Sequence, residues 1–446
     1  MTAADFGTTV CGGGPAGLAP MVHLSWRGGL AQLLATGLRV VERGDQCGAG
    51  SLPHYRISGN SQGWTYVECL DGGVENEYLW PLRDTADARA VSADPTGYPP
   101  LGLVGRWLTR LGGAVVDRIQ ADRRTQVDTR TEAVAVRLQP DGGADVTTTE
   151  QTAHGTVTET ARTTNVVLAM GGVAPATMLT APLLPGMTLE PVAHKVVHAI
   201  DVLDDRRWAA WLLPRLATAQ RVVIVGGSHS AWSTAWLLLH EHRLREVAPD
   251  LRIELLHRRP IRLLYASLEE AAADGYRFDP VQDVCPVSQR VNRFCGLRGD
   301  SGDLARRVLG LAPSHDEPIT TRELADTAES RAGLGRLLAE ADLVVCATGF
   351  DARLPRLLDV DGSPLRLHRG PLGLTLGAQA NLCRADGSQI PELFLYGLGI
   401  GRSPVPRLGG EPNCVRSPHG VHLYQHDLGK LLTPALLGAR PALTSS

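Results

Sequence analysis

Two glycine-rich bends carry the most chemical information in the chain. The first, "TTVCGGGPAGLAP" (Thr8 to Pro20), places Gly12, Gly14 and Gly17 in the spacing G-x-G-x-x-G, with Pro15 and Ala16 opening a helix-forming stretch. Each glycine answers a different physical need. Gly12 makes a tight turn, Gly14 lets backbone N–H groups approach a pyrophosphate, and Gly17 lets helix and strand pack closely. The positive end of the helix dipole then faces the phosphates. Glu42, followed by Arg43, ends the next apolar run, "LRVVERG", where a carboxylate can accept hydrogen bonds from ribose hydroxyls.

The second bend lies in "RVVIVGGSHSAWSTAWLLLH" (Arg221 to His240). It offers Gly226, Gly227, Ser228, Ser230 and Ala231 for the same purpose. Ser228 stands where glycine is usual; its hydroxyl can donate to a phosphate oxygen if its Cβ points away from the ligand. The following strand ends "IELLHRRP", so His257, Arg258 and Arg259 occupy the place that Glu42 holds in the first unit. A carboxylate there repels a 2′-phosphate, whereas guanidinium groups bind phosphate bidentately. The first bend therefore reads as an FAD site and the second as an NADPH site; the other reading of the two arginines is solvated surface charge. Two nucleotides on one chain let a hydride pass from a diffusible carrier to a fixed flavin, which then meets oxygen or another acceptor.

These bends need strands and helices to hold them. The predicted fold class is α/β, with two Rossmann-like three-layer nucleotide-binding domains. The FAD domain is discontinuous, at residues 1–200 and 340–446, around an NADPH domain at 201–339. "TEAVAVRLQP", a turn at Asp141 to Gly143 and "ADVTTTE" read as a small antiparallel β meander, followed by a buried strand, "NVVLAMGG". "DLVVCATGF", with Thr348 and Gly349 in its glycine turn, is a later apolar strand; "ELFLYGLGIG" runs from a strand into a glycine-rich loop before the last helix. Pro20 should kink the first helix or delay its start, because a proline past the first turn costs roughly 3 kcal/mol.

Composition narrows the classes. The chain has 446 residues, 43% hydrophobic and 20% charged, with a formal charge of −3, which gives no electrostatic reason to expect nucleic acid or an anionic membrane as partner. No apolar run approaches a membrane span, and no basic and apolar leader opens the sequence. The eight cysteines form neither C-x-x-C nor a zinc-type pair of pairs, so they read as thiols in a reducing compartment, with the cytoplasm expected. A small-molecule substrate with O2 is the expected partner set; assembly into a homo-oligomer is left open.

In their order along the chain, these motifs resemble the two-dinucleotide flavoproteins over nearly the whole length. Within that group the chain looks most like the NADPH-dependent N-hydroxylating monooxygenases of the ornithine and lysine hydroxylase type. Three segments carry the narrower likeness: "SLPHYRISGNSQGWTYVECL", "KVVHAIDV" and "NCVRSPHGVHLYQHDLGKLL". The resemblance implies reduction of FAD by NADPH, capture of O2 as a C4a-hydroperoxide, and transfer of oxygen to a nucleophilic nitrogen of a small amine or amino-acid-like metabolite, in secondary metabolism. It nominates His54, Asn60, Gln62 and Asn292 as catalytic candidates. Trp64, His419 and Gly420 join Gln62 around the flavin.

Each nominee has a plainer explanation. His54 could cap a turn, Gln62 could be a surface amide, Trp64 could share a buried strand face with Tyr66, and His419 could cap the last helix. Two departures stand out. The lysine that grips the amino-acid carboxylate in the family falls near Glu68, so a cationic group fits better there. Leu398-Gly399 replaces the small-Gly-Asp end of the FAD half. A Baeyer–Villiger or sulfur-oxidising monooxygenase would use the same cofactors, a disulfide reductase would need a cysteine pair beside the flavin, and a flavin-holding sensor would need no substrate.

Overall fold

The computed structural model describes residues 5–207, 212–216, 219–313, 317–370, 373–398, 409–414 and 420–438. Its larger sheet is built outward from the opening strand, Phe6–Cys11. That strand pairs in parallel with Leu38–Val41 on one side and with the end of Gly155–Leu168 on the other. Thr125–Asp128 continues the first side, and Gln389–Leu395 joins the second through Leu393 to Leu395. Val10, Val40, Val167 and Leu393 are buried, as expected where helices and loops cover both faces of parallel strands.

The meander grows from the same long strand. The first half of Gly155–Leu168 is exposed and pairs antiparallel with Ala144–Thr152, which pairs antiparallel with Thr131–Leu138. Its last residues turn buried as they enter the parallel core. The segment "NVVLAMGG" is thus the tail of one bent strand rather than a strand of its own.

The smaller sheet has five strands, all parallel, in the order Ile319–Glu323, Arg252–His257, Arg221–Val225, Leu343–Cys346, Val196–His198. Two of these lie outside the interval 201–339 marked from the sequence: Val196–His198 and Leu343–Cys346 hydrogen-bond to this sheet and not to the larger one. An apolar run shows that a strand is buried; only pairing shows which sheet takes it. In both sheets the strand that ends in a glycine bend sits where the strand order reverses, the crevice where open α/β sheets bind ligands.

The helix Pro15–Arg27 starts directly after Gly14, so no late start occurs, and it continues through Pro20. The hydrogen bond lost at Pro20 is offset by burial of every residue from Gly17 to Ser25. That helix packs against the amphipathic Leu101–Gln120 and against Val421–Gln425 and Gly429–Leu436, which close the core around Trp107, Leu111 and Leu432. No helix among the described residues is long and apolar enough to cross a membrane.

Candidate active site

The two glycine bends are built alike, down to single contacts. Gly12 has φ +106°, and a Cβ there would lie 2.4 Å from the carbonyl oxygen of Ala169. Gly226 has φ +148°, and its Cβ would lie 2.5 Å from the carbonyl oxygen of Ala347. Each bend therefore turns against the end of the adjoining parallel strand, and backbone cannot move aside for a side chain. A Cβ on Gly17 would stand 1.7 Å from the carbonyl oxygen of Gly12, so the helix can lie this close only without one.

Gly14 differs in kind. Its φ is −73°, which any residue adopts, and among the described residues its Cβ would meet nothing nearer than Gly50 Cα at 3.8 Å. No described residue fills that space, and a side chain would; this is the cradle a pyrophosphate requires at the start of a helix whose first N–H groups have no capping side chain among the described residues. Ser228 holds the equivalent place before the helix His229–Trp236. It has φ −117° and ψ −171°, with no capping bond from its hydroxyl. Serine there is unstrained and exposed, and Ala231 behind it is fully buried.

Glu42 does two things at once. One carboxylate oxygen accepts a hydrogen bond from Gly13 N at 2.7 Å and the other from Gly44 N at 2.6 Å, which locks the bend to the end of the second strand. Each oxygen keeps a lone pair for a ribose hydroxyl. Arg43 beside it is exposed. In the second unit the three basic residues diverge. His257 Nδ1 donates to the carbonyl of Arg259 at 2.9 Å, Arg258 donates to the carbonyl of Pro182, and Arg259 lines a cavity of about 780 Å³. Gly349, at φ +112°, offers its carbonyl to His198 Nε2 at 3.0 Å, while Thr348 lies within hydrogen-bond reach of Cys346. Burial holds His198 below the ordinary histidine range, so it is the neutral donor there.

The segment after the first unit folds as short turns rather than a strand. Gly63–Tyr66 is a 3₁₀ turn, which sends Trp64 outward at 41% exposed and Tyr66 inward at 2%. The shared strand face expected for the two aromatics is therefore absent. Gly63 permits the close packing here: a Cβ there would lie 2.5 Å from the carbonyl of Asp94. Gln62 donates to Thr96 O at 3.0 Å and accepts from Trp64 Nε1 at 3.3 Å. Asn60 is exposed, with its carbonyl accepting from Arg298 at 3.4 Å, and His54 ends the 3₁₀ turn Leu52–His54. Gly420 abuts the same loop, since its Cβ would lie 3.2 Å from Ser61 Oγ. His419 and Gly399 lie outside the described residues.

Asn292 does not join this group. It is fully buried, and its carboxamide donates to Leu263 O at 3.0 Å and to the Tyr276 hydroxyl at 3.1 Å. Its backbone is left-handed at φ +49°, a conformation that asparagine tolerates better than most residues, so its signature in sequence is that of a turn.

Three features lie beyond the sequence motifs. Arg298 joins the Asn60 loop to the carbonyls of Arg293 and Gly296. Glu411, buried, accepts hydrogen bonds from Phe294 N and Cys295 N and lies with Cys295 and Cys414 in one cluster. Glu68 accepts a hydrogen bond from His422 Nε2 at 2.7 Å, and the His422 ring stands edge-on to Trp64 at 5.5 Å. Burial keeps His422 below the ordinary histidine range, although Glu68 pulls it upward.

No protein-family model matches the chain. A curated relative does, across nearly all of it: a CMP-5′-(3-aminopropyl)phosphonate hydroxylase of Streptomyces rubellomurinus is 36% identical over 436 residues, 97% of each chain. The chain belongs to the same family as this hydroxylase. A hydroxylase of this family is an oxidoreductase. The cradle at Gly14 and the doubled bend fit two dinucleotides of the FAD and NADPH kind.

Solved structures share the fold. The FAD-bound cadaverine monooxygenase of Erwinia amylovora superposes with TM-score 0.58 at 14% identity, covering 100% of this chain and 99% of the other. Ornithine hydroxylase of Pseudomonas aeruginosa gives 0.53 at 14%, and L-lysine 6-monooxygenase of Pseudomonas syringae gives 0.52 at 15%, each covering 97% of this chain and 99% of its own.

Proposed function

We propose that this monooxygenase hydroxylates the nitrogen of a primary amine, carried on a small metabolite related to the nucleotide-linked aminopropyl phosphonate of its curated relative. The observation that carries this reading is the 36% identity maintained over 97% of both chains, which spans both glycine bends and the segment between them. FAD would lie on Gly12, Gly14 and Gly17, with Pro15 and Ala16 opening the helix beneath it and Glu42 and Arg43 at its ribose. Gln62, Trp64, His419 and Gly420 would border its ring. NADPH would lie on Gly226, Gly227, Ser228, Ser230 and Ala231, with Arg259 at the adenosine end and Thr348 and Gly349 beside the nicotinamide end; Arg258, expected there from sequence, is turned to the Pro182 carbonyl. In domain terms, residues 1–200 and 340–446 would serve the flavin, apart from the two strands that the smaller sheet claims.

A bound flavin would supply the activation of oxygen; the chain's own residues would position the amine and manage its proton. A primary ammonium has a pKa near 10.4 and no lone pair to attack with, so the site must take a proton from it. The Glu68–His422 pair suits that role, since the carboxylate attracts the ammonium and a neutral imidazole beside it accepts the proton. His54, Asn60 and Gln62 would orient the substrate and flavin. A carboxylate at position 68 in place of lysine also accounts for a substrate without an amino-acid carboxylate.

The test is a substrate panel of aminoalkyl phosphonates, their nucleotide conjugates, amino acids, ketones and sulfides. NADPH loss coupled to a product heavier by one oxygen on nitrogen supports the reading. Coupled oxidation confined to ketones or sulfides replaces it with a Baeyer–Villiger or sulfur-oxidising enzyme.

A further inference from the structure

The strand Arg252–His257 ends beside an open cavity of about 780 Å³, lined by Arg259, Arg262, Tyr276, Arg277, Phe278 and Asp283, among others. A smaller adjoining void of about 420 Å³ shares Pro260, Ile261, Tyr276 and Arg277 with it. Such volumes match small-ligand sites. In a Rossmann unit the carboxyl end of this strand is where the adenosine ribose lies.

The charges in the cavity are unequally occupied. Arg262 donates to Asn413 O at 3.0 Å and stands 3.8 Å from Asp283, which also accepts from Asn413 Nδ2 at 3.0 Å. Asp279 is taken up by the N–H groups of Val281 and Gln282. The guanidinium groups of Arg259 and Arg277 have no ion-pair partner among the described residues, and both are exposed to the cavity. Tyr276 is fixed against the wall, its hydroxyl accepting from Asn292 at 3.1 Å and donating to Ile261 O at 3.3 Å. Arg258, by contrast, is turned to the Pro182 carbonyl and does not line the cavity.

We propose that Arg259 and Arg277 together hold the 2′-phosphate of NADPH in this cavity, with Arg258 serving the Pro182 loop instead. The proposal rests on the NADPH reading of the second bend and names the residues that give it phosphate specificity. Two guanidinium groups lining one cavity, neither in an ion pair among the described residues, can bind a dianionic phosphate, while Tyr276 and Phe278 supply apolar and aromatic surface for a base.

The test measures binding, by calorimetry on the flavin-loaded enzyme, of NADP⁺, NAD⁺, 2′,5′-ADP, 5′-AMP and a pyrimidine 5′-monophosphate. The variants are Arg258→Ala, Arg259→Ala, Arg277→Ala and Arg277→Lys. Arg259→Ala and Arg277→Ala are each expected to weaken NADP⁺ and 2′,5′-ADP by about tenfold or more and to leave NAD⁺ and 5′-AMP within about twofold. Arg277→Lys should recover part of the loss, and Arg258→Ala should change little. An unchanged flavin spectrum certifies the fold of each variant. Loss of 2′,5′-ADP binding in Arg258→Ala alone overturns the assignment while leaving NADPH in place. Loss confined to the pyrimidine nucleotide overturns it in favour of a substrate site. A wild-type enzyme that does not distinguish 2′,5′-ADP from 5′-AMP overturns the NADPH reading itself.

Discussion

Glu68 and His422 meet at 2.7 Å across most of the chain's length, tying the turn Glu68–Leu70 to the helix Val421–Gln425. Glu68→Gln keeps the shape of this contact and removes its charge. With an amine substrate, kcat/KM should fall about tenfold or more, on the premise that the carboxylate draws the ammonium. Glu68 raises the His422 pKa against the depressing effect of burial, so its loss lowers that pKa further. The acidic limb of the kcat/KM profile should accordingly move to lower pH in the variant. An unmoved limb with an unchanged rate would remove the pair from the chemistry.

Gly14 and Gly17 separate ligand space from folding space. Gly17→Ala drives a Cβ into the carbonyl of Gly12 and should lower the melting temperature of the flavin-free protein, at a cost of roughly 1–3 kcal/mol or more. Gly14→Ala meets no atom of the described residues closer than 3.8 Å. It should leave flavin-free unfolding unchanged and weaken flavin retention severely. Thermal unfolding with and without FAD reads both outcomes.

Ser228 has the same extended backbone that Gly14 has, without the same demand for an absent side chain. Ser228→Gly should change NADPH affinity by less than about threefold, because serine already fits at φ −117°. Titration of NADPH against the two proteins checks this.

Acid sensitivity should arise in part from His229. Burial pushes it down to about 3, and its Nε2 donates to Gly296 O while its Nδ1 has no partner among the described residues. The folded-state pKa is depressed below the unfolded value of 6.5, so the stability linked to this group is complete above pH 6.5 and falls as pH drops toward 3. The slope is at most about 1.4 kcal/mol per pH unit. His229→Gln should flatten the fall in urea midpoint between pH 6.5 and pH 4.5; an equal slope in both proteins would place the sensitivity elsewhere.

Much of this was legible in the residues themselves. Both bends, Glu42 at the end of the second strand, and the meander follow from local spacing and periodicity. What escaped depends on long-range pairing. The run "DLVVCATGF" is equally apolar in either sheet, and only its parallel ladder with Arg221–Val225 assigns it. Trp64 and Tyr66 alternate as they would in a strand, but the chain there takes a 3₁₀ turn, with Gly63 packed against the carbonyl of Asp94. Arg277 lies in a charged, irregular stretch with no motif, and it gains meaning only because the chain folds it to the same cavity as Arg259. Asn292 suggests a ligand contact in sequence, whereas burial has committed its amide to Leu263 and Tyr276.

Oxygen on nitrogen is the outcome on which the proposed function stands. The direct measurement supplies the flavin-loaded enzyme with NADPH, labelled O2 and an aminoalkyl phosphonate nucleotide, and locates the label in the product by mass spectrometry. One labelled oxygen on the amine nitrogen, formed one for one with NADPH consumed, is the expected result. Label on carbon, or NADPH consumed with all oxygen released as hydrogen peroxide across the whole amine panel, would contradict it.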